Sequence, residues 1–324
     1  MRPSATSGLL ALLSATAFGC GQTQTDGALQ ELTIPRGATL AAVAETLETR
    51  GLVRSANLFA FYARMSGRRR AIQAGTYDVP AGATNRELLA LFSTGRPALR
   101  RLVVPEGLFL TEVAAAVEQQ LGIPSEALLA AARDSALRSR LAVPAPTLEG
   151  YLYPSTYLVR TDAGAAAVVR QMVGEFELVW REGWDARLDT LDMTRHELVT
   201  LASIIEGEVR YAPDRPYVSS VYHNRLRRGM RLQADPTVAY ALGQRRRLFE
   251  RDYQVRSPYN TYVIDGLPPG PIGAPSVESL EAALYPARTD FLFFVARDDG
   301  QHVFSRTYAE HLRAIREVRR GNGT

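Results

Sequence analysis

Apolar positions along the chain switch repeatedly between strand-like alternation and helical spacing. In LTIPRGATLAAVAETLETRGLV, alternation gives way at Pro35 and Gly37 to Leu40, Val43, Ala44 and Leu47 on one face, which predicts strand, turn and helix, with Gly51 as the stop. A second helix is expected over Ala56 to Met65, and AGTYDVPAGATNRELLALFSTG repeats the order of strand, Pro-Gly turn and helix. From Arg100 to Trp184 the pattern is a strand, then helices and the aromatic-rich loop PTLEGYLYPSTYLV. Beyond Met193 a helix is expected from about Thr194 to Arg210, broken before Pro213. Pro216 fits the first turn of the next helix, and Gly229 its end. MRLQAD reads as extended, with Asp235 as N-cap and Pro236 as first residue of PTVAYALG. FLFFVARDDGQHVFS reads as a hairpin, followed by a terminal helix.

The N-terminus changes the setting. Arg2 precedes an apolar run from Gly8 to Phe18, too short to cross a hydrocarbon core of ~30 Å, so residues 1–20 read as a signal peptide. Cys20, the one cysteine, follows AFG in a stretch that resembles a bacterial lipobox, with Ala17 where a larger aliphatic residue is usual. Lipidation of Cys20 is the expected anchor, ordinary cleavage or a retained anchor the alternative, and the cell envelope the expected compartment. Residues 21–30 are a polar linker.

Composition supports a globular chain long enough for several modules, with 324 residues of which 46% are hydrophobic. All 38 basic residues are arginine, which excludes a lysine Schiff base. Clusters at Arg68 to Arg70, Arg100 to Arg101 and Arg245 to Arg247 could draw an anionic polymer, although a solvated arginine-rich surface explains them more simply. A nucleotide or metal cofactor is not expected. There is no Gly-rich phosphate loop and no cysteine pair, and the four histidines lack ligand spacing. Nucleic-acid modules are likewise missing and would conflict with export.

The stretch LASIIEGEVR carries the chemistry worth pursuing. Leu198, Leu201, Ala202, Ile205 and Val209 form one apolar stripe, with Glu206 on one edge and Glu208 on the other, diverging by roughly 160° on an ideal helix. They cannot face one scissile bond together, whereas most glycosidases set two carboxylates across it. A carboxylate desolvated in a cleft keeps its proton more readily and suits general-acid work. The plainer reading of Glu206 is an exposed i,i+4 ion pair with Arg210. Two features favour a cleft. Arg225 lies inside the stripe formed by Val218, Val221 and Tyr222, where it needs an anion, either a buried carboxylate or a ligand. The loop SPYNTYVIDGLPPGPIGAPS is stiffened by proline and carries polar and aromatic tips.

With these residues in place, the chain resembles the MltG (YceG-like) endolytic murein transglycosylase family. The resemblance rests on LEGYLYPSTY at 148–157, LASIIEGEV at 201–209, VSSVYHNRLRRGMRLQADPTVAYALG at 218–243, YNTYVIDGLPPGPIGAPS at 259–276 and HVFSRTYAEH at 302–311. It implies an α+β fold, with a small LysM-like α/β module over 31–96, an intermediate α/β segment over 97–188 and a mixed α+β catalytic domain over 189–324. A plain α/β spacer remains the alternative for the first module.

The implied activity is cleavage of the β-1,4 bond between N-acetylmuramic acid and N-acetylglucosamine within nascent peptidoglycan strands, terminating them with 1,6-anhydro ends. By motif position Glu206 is the acid/base, while Glu208, Asn224, Arg225, Gln233, Asp235, Asn260 and Tyr262 line or support the cleft and Glu149 organises the EGYLYP loop. Asp235 is equally explained as a helix cap, and Gln233 and Asn260 either contact sugar substituents or brace loops. The implied partners are peptidoglycan glycan strands, peptidoglycan synthases and the inner membrane through an N-terminal anchor, on the extracytoplasmic side. Val209 departs from the polar residue usual after the second glutamate, and Cys20 stands in place of the usual membrane-spanning helix. A hydrolytic muramidase and a non-catalytic peptidoglycan-binding scaffold remain open alternatives.

Overall fold

A computed structural model describes residues 29–67, 72–95, 98–141 and 143–321. The fold is mixed α+β, with two compact units meeting in sequence between Pro97 and Ala98.

In the first unit, β1 (Leu29–Ile34) pairs antiparallel with β2 (Gly75–Pro80), and α1 (Leu40–Thr49), α2 (Ala56–Met65) and α3 (Asn85–Thr94) complete it. The strands bury alternate residues, Leu32 and Ile34 from β1, Tyr77 and Val79 from β2. These meet the apolar faces of α1 and α3, Val43, Ala44 and Leu47 with Leu88, Leu89 and Phe92. Thr39 caps α1, Ser55 caps α2, and Thr84 with Glu87 closes a capping box on α3.

The second unit opens on the same order. Here β3 (Leu99–Val104) pairs antiparallel with β4 (Ser155–Arg160), with α4 (Leu110–Leu121), α5 (Ser125–Arg133) and α6 (Ser135–Arg140) between them and α7 (Ala165–Val179) after. Leu32, Ile34, Val43, Ala44 and Leu47 of the first unit recur at identical spacing as Leu102, Val104, Val113, Ala114 and Val117, all buried. Leu32 pairs with Tyr77 across the ladder, and Leu102 with Tyr157. Both tyrosine hydroxyls donate to a carbonyl four residues back, Tyr77 to Gln73 at 2.7 Å and Tyr157 to Tyr153 at 2.5 Å. Each unit turns out of its first strand through Pro-x-Gly, Gly37 at φ 79° and Gly107 at φ 73°, the left-handed region glycine enters without cost. A strand–helix–helix–strand–helix motif is thus used twice, with α6 added in the second copy, a relation that the periodicity of either copy alone does not reveal.

Beyond the repeat come α8 (Trp184–Leu191), α9 (Arg195–Glu208), α10 (Arg215–Arg227), α11 (Asp235–Leu242) and α12 (Val277–Leu284). The hairpin β5 (Phe293–Ala296) with β6 (His302–Ser305) and then α13 (Tyr308–Gly321) close the unit. The second copy of the motif and these helices share one hydrophobic core, from Leu102 to Leu284.

The structure corrects the single apolar stripe expected of α9. Every residue from Leu198 to Ile205 is buried, because α8, α10, α11 and α12 all contact this helix. It is the central helix of the unit, started by a Thr194–Glu197 capping box.

Candidate active site

The last turn of α9 holds the Pro- and Gly-rich loop through side chains at i and i+3. Ser203 Oγ accepts the Ile272 N–H at 3.0 Å, and Glu206 Oε2 accepts the Ser276 N–H at 3.0 Å and the Ser276 hydroxyl. Ser276 is itself the buried N-cap of α12, accepting from the Ser279 N–H at 3.2 Å. One carboxylate oxygen of Glu206 is thereby fixed. The other, Oε1, faces the Arg215 guanidinium at 3.6 Å, longer than a hydrogen bond. The Glu206 side chain is 9% exposed.

The same loop draws in the Pro-Glu-Gly turn of the second motif copy. The Gly107 N–H donates to the Ala274 carbonyl at 2.7 Å, and the Ala274 N–H to the Leu108 carbonyl at 3.0 Å. A Cβ on Gly273 would meet the Gly107 carbonyl oxygen at 2.7 Å, so only glycine permits this approach. Gly107 in turn lies against Glu206, 3.6 Å separating its would-be Cβ from Glu206 Cγ. Next to it Glu106 holds its proton above the usual carboxylate range, first through burial, then through repulsion from Glu206 and Glu278, with Arg215 opposing. The Tyr153 hydroxyl is pushed up by burial and then by Glu278 and Glu106. An open groove of about 460 Å³ is lined by Arg215, Pro216, Glu278, Glu281, Ala282 and Tyr285. Arg215 connects that groove to Glu206.

Glu208 points elsewhere, as the helical angle requires. The Tyr222 hydroxyl donates to it at 2.9 Å, and so does the Asp235 backbone N–H at the start of α11. Burial, then the Asp235 charge, pushes its carboxyl up to about 7. Between the two glutamates, Gly207 lets α11 come close, since a Cβ there would meet Pro236 Cβ at 2.6 Å.

Several sequence expectations are corrected. Glu206 does not pair with Arg210, because Val209 is already extended and Arg210 no longer sits one helical turn on. Arg225 is buried but meets no carboxylate in a salt bridge. Its donors reach the Leu292 carbonyl at 2.7 Å and the Leu232 carbonyl at 2.6 Å, and it lies over the Phe293 ring. Asp235 is the first residue of α11 rather than its cap, and its carboxylate takes the Tyr262 hydroxyl at 2.6 Å and the Tyr253 hydroxyl at 3.4 Å.

The remaining candidates fall into place as follows. Asn224 donates to the Thr289 and Phe291 carbonyls at 3.0 and 2.8 Å. Asn260, fully buried, donates to the Tyr253 and Val255 carbonyls and accepts the Tyr262 N–H. Gln233 adopts φ 48° with its N–H on the Thr261 carbonyl and its side chain exposed. Glu149 is buried and accepts the Leu110 N–H at the start of α4 and the Tyr240 hydroxyl, its carboxyl pushed up to about 7 by burial. Of the arginine clusters, Arg245 pairs with Glu112 and Arg246 with Asp252, while Arg68 to Arg70 lie outside the described residues. Cys20 and the signal-peptide stretch lie outside them as well. Among the described residues no cluster of three or more metal-ligating side chains occurs, and no helix is long and apolar enough to cross a membrane.

The residues that reach Glu206, namely Ser276, Arg215 and Gly107, were not singled out from sequence. The Ser before the periodic VESLEAAL run is a cap signal that marks Ser276, but its second bond, to Glu206, exists only in the fold.

The model of the YceG-like family matches residues 32–317. The chain belongs to this family. A relative from Bacillus subtilis named endolytic murein transglycosylase is 32% identical over 300 residues, 87% of this chain and 83% of the relative. A protein of the same name from Streptococcus pneumoniae is 30% identical over 317 residues, 88% of this chain and 57% of that longer protein. The crystal structure of a YceG-like protein from Listeria monocytogenes superposes with a TM-score of 0.62 at 32% identity, covering 89% of this chain and 99% of that one.

Proposed function

We propose that this YceG-like chain is an endolytic murein transglycosylase, a lyase, with Glu206 as its acid/base. The observation that carries the assignment is the division of labour on one carboxylate. Ser276 fixes Oε2, while Oε1 remains without a hydrogen bond beside the groove at Arg215 and Glu278. A group so oriented, in a largely water-excluded position, can hold a proton in line with a glycosidic oxygen.

The chemistry closes on this single group. Glu206 gives its proton to the bridging oxygen as the bond to the anomeric carbon of N-acetylmuramic acid breaks. The C6 hydroxyl oxygen of the same sugar bonds to that carbon, and its proton passes to the Glu206 carboxylate, restoring the acid. No water is consumed, and the product carries a 1,6-anhydro end. Glu208, Asn224, Arg225, Asp235, Asn260 and Tyr262 hold the helices and loops around the groove, and exposed Gln233 is the one of these sequence candidates free to meet glycan.

The finer reading concerns place and partners. The first unit acts as a LysM-like glycan-binding module, which its compact antiparallel pair with two intervening helices supports. The enzyme terminates nascent strands at the outer face of the inner membrane, held by a lipidated Cys20 and working beside peptidoglycan synthases. The signal-like N-terminus supports that placement.

The test is mass spectrometry of purified sacculi after digestion. Wild type should release anhydro-muropeptides and Glu206→Gln none, with its fold intact. Products that gain water would instead mark a muramidase, and sacculus binding without release a scaffold.

A further inference from the structure

The repeated motif offers an internal control on the turn that approaches Glu206. In the first copy the turn reads Ile34-Pro35-Arg36-Gly37, in the second Val104-Pro105-Glu106-Gly107, with both glycines left-handed. The turn therefore forms with either charge at its third position, and an acidic residue is not a requirement of the backbone. What differs is the surroundings. A Cβ on Gly37 would meet nothing within 4 Å, whereas Gly107 is covered by the Gly273–Ala274 strap and rests on Glu206. The backbone beside Glu106 is further held by Arg245, which donates to the Gly107 carbonyl and pairs with Glu112 at 3.0 Å. A position free to hold arginine in one copy holds, in the other, an exposed glutamate whose backbone neighbour, Gly107, rests on the acid.

We infer that Glu106 is a second catalytic carboxylate of this site, which stabilises the positive charge that develops on the N-acetylmuramic acid ring as its glycosidic bond breaks. This rests on the assignment of Glu206 as acid/base. Cleavage with an oxocarbenium-like transition state places positive charge on the ring, and an ionised carboxylate on the cleft wall, opposing the acid, favours that state over the neutral substrate. Glu106 forms no bond in the step and moves no proton. The charged and titratable groups facing it are Glu206 from α9, Arg215 from α10, Glu278 from α12 and Tyr153 from the segment before β4. Arg215 opposes, without reversing, the upward push on the Glu106 carboxyl from burial and from the other two carboxylates. Glu106 has to be ionised to act, and its proton is held above the ordinary carboxylate range, so activity should rise with pH as that proton leaves.

The test compares the full chain with Glu206→Gln, Glu106→Gln and Glu106→Asp on uncrosslinked glycan strands, reading kcat, KM, products and pH profile. Glu106→Gln should fold like wild type and lose roughly 100-fold in kcat, with KM changed by about twofold or less. Its residual product should still carry anhydro ends, the acidic limb of its kcat profile should vanish, and Glu106→Asp should restore part of the rate. Wild-type kcat in Glu106→Gln overturns the inference, as does a slowed variant that keeps the acidic limb, because then the side chain acts only on structure. Failure of Glu106→Gln to fold overturns it too, since the turn would need the carboxylate itself. Activity in Glu206→Gln would instead remove the assignment beneath it, whatever Glu106→Gln does.

Discussion

Ser276 caps α12 and holds Glu206 with the same hydroxyl, accepting from the Ser279 N–H and donating to Glu206 Oε2. Helix start and the carboxylate proposed as acid/base are therefore fixed by one side chain. Ser276→Ala leaves the backbone N–H bond to Glu206 but removes the other two. Stability should fall by about 1 kcal/mol, the usual worth of such a cap, and kcat by roughly tenfold through looser placement of the acid. Denaturant titration and strand-cleavage rates check the two effects separately.

Gly207 should resist any side chain despite its exposure. In Gly207→Ala the new Cβ would stand 2.6 Å from Pro236 Cβ, so α11 must move away from α9. The expected cost is about 1–3 kcal/mol, with a loss of activity from the displaced cleft wall. The gain in helix propensity from glycine to alanine, about 1 kcal/mol, offsets only part of this. A variant as stable and active as wild type would contradict the close packing.

Asn260 is a brace, and its replacement should show it. Asn260→Ala strands two half-buried carbonyls, of Tyr253 and Val255, and the half-buried Tyr262 N–H. Stability should drop by about 3 kcal/mol. KM measured well below the lowered melting temperature should change little. A large rise in KM in a stable protein would return Asn260 to the substrate.

Glu149 makes stability depend on pH. Its carboxyl titrates near 4.5 when unfolded and at about 7 in the folded chain, so the folded state binds the extra proton between those values. Stability is then full at the acidic end and falls as pH rises from about 4.5 to about 7, because the unfolded state ionises first. Glu208, also pushed up to about 7, adds to the same trend. Glu149→Gln, which keeps an acceptor for Leu110 and removes the titration, should flatten the fall. Denaturant unfolding on either side of this window measures it, and an unchanged slope in the variant would refute the role of Glu149.

Local signals made much of the fold legible. The α2 bounds at Ala56 and Met65, the capped start of α9 at Thr194 and the hairpin near the C-terminus follow from periodicity, caps and turn residues, which act over a few positions. The divergence of Glu206 and Glu208 was likewise fixed by helical geometry alone. Each now holds a different segment, Ser276 on one side, Tyr222 and α11 on the other.

What the chain determined by itself is many of the elements, the glutamate on the central helix and the family motifs around it. What only the tertiary structure decided is which partners those residues meet. Arg225 found carbonyls and an aromatic ring where an anion was expected, and Glu206 found Arg215 where Arg210 was expected. Gly107 and Ser276, far from each other and from Glu206 in sequence, converge on Glu206 because glycines at 107 and 273 allow two backbones to touch. Periodicity reports which face of an element is buried and is silent on what buries it, since that depends on long-range packing that no local window contains.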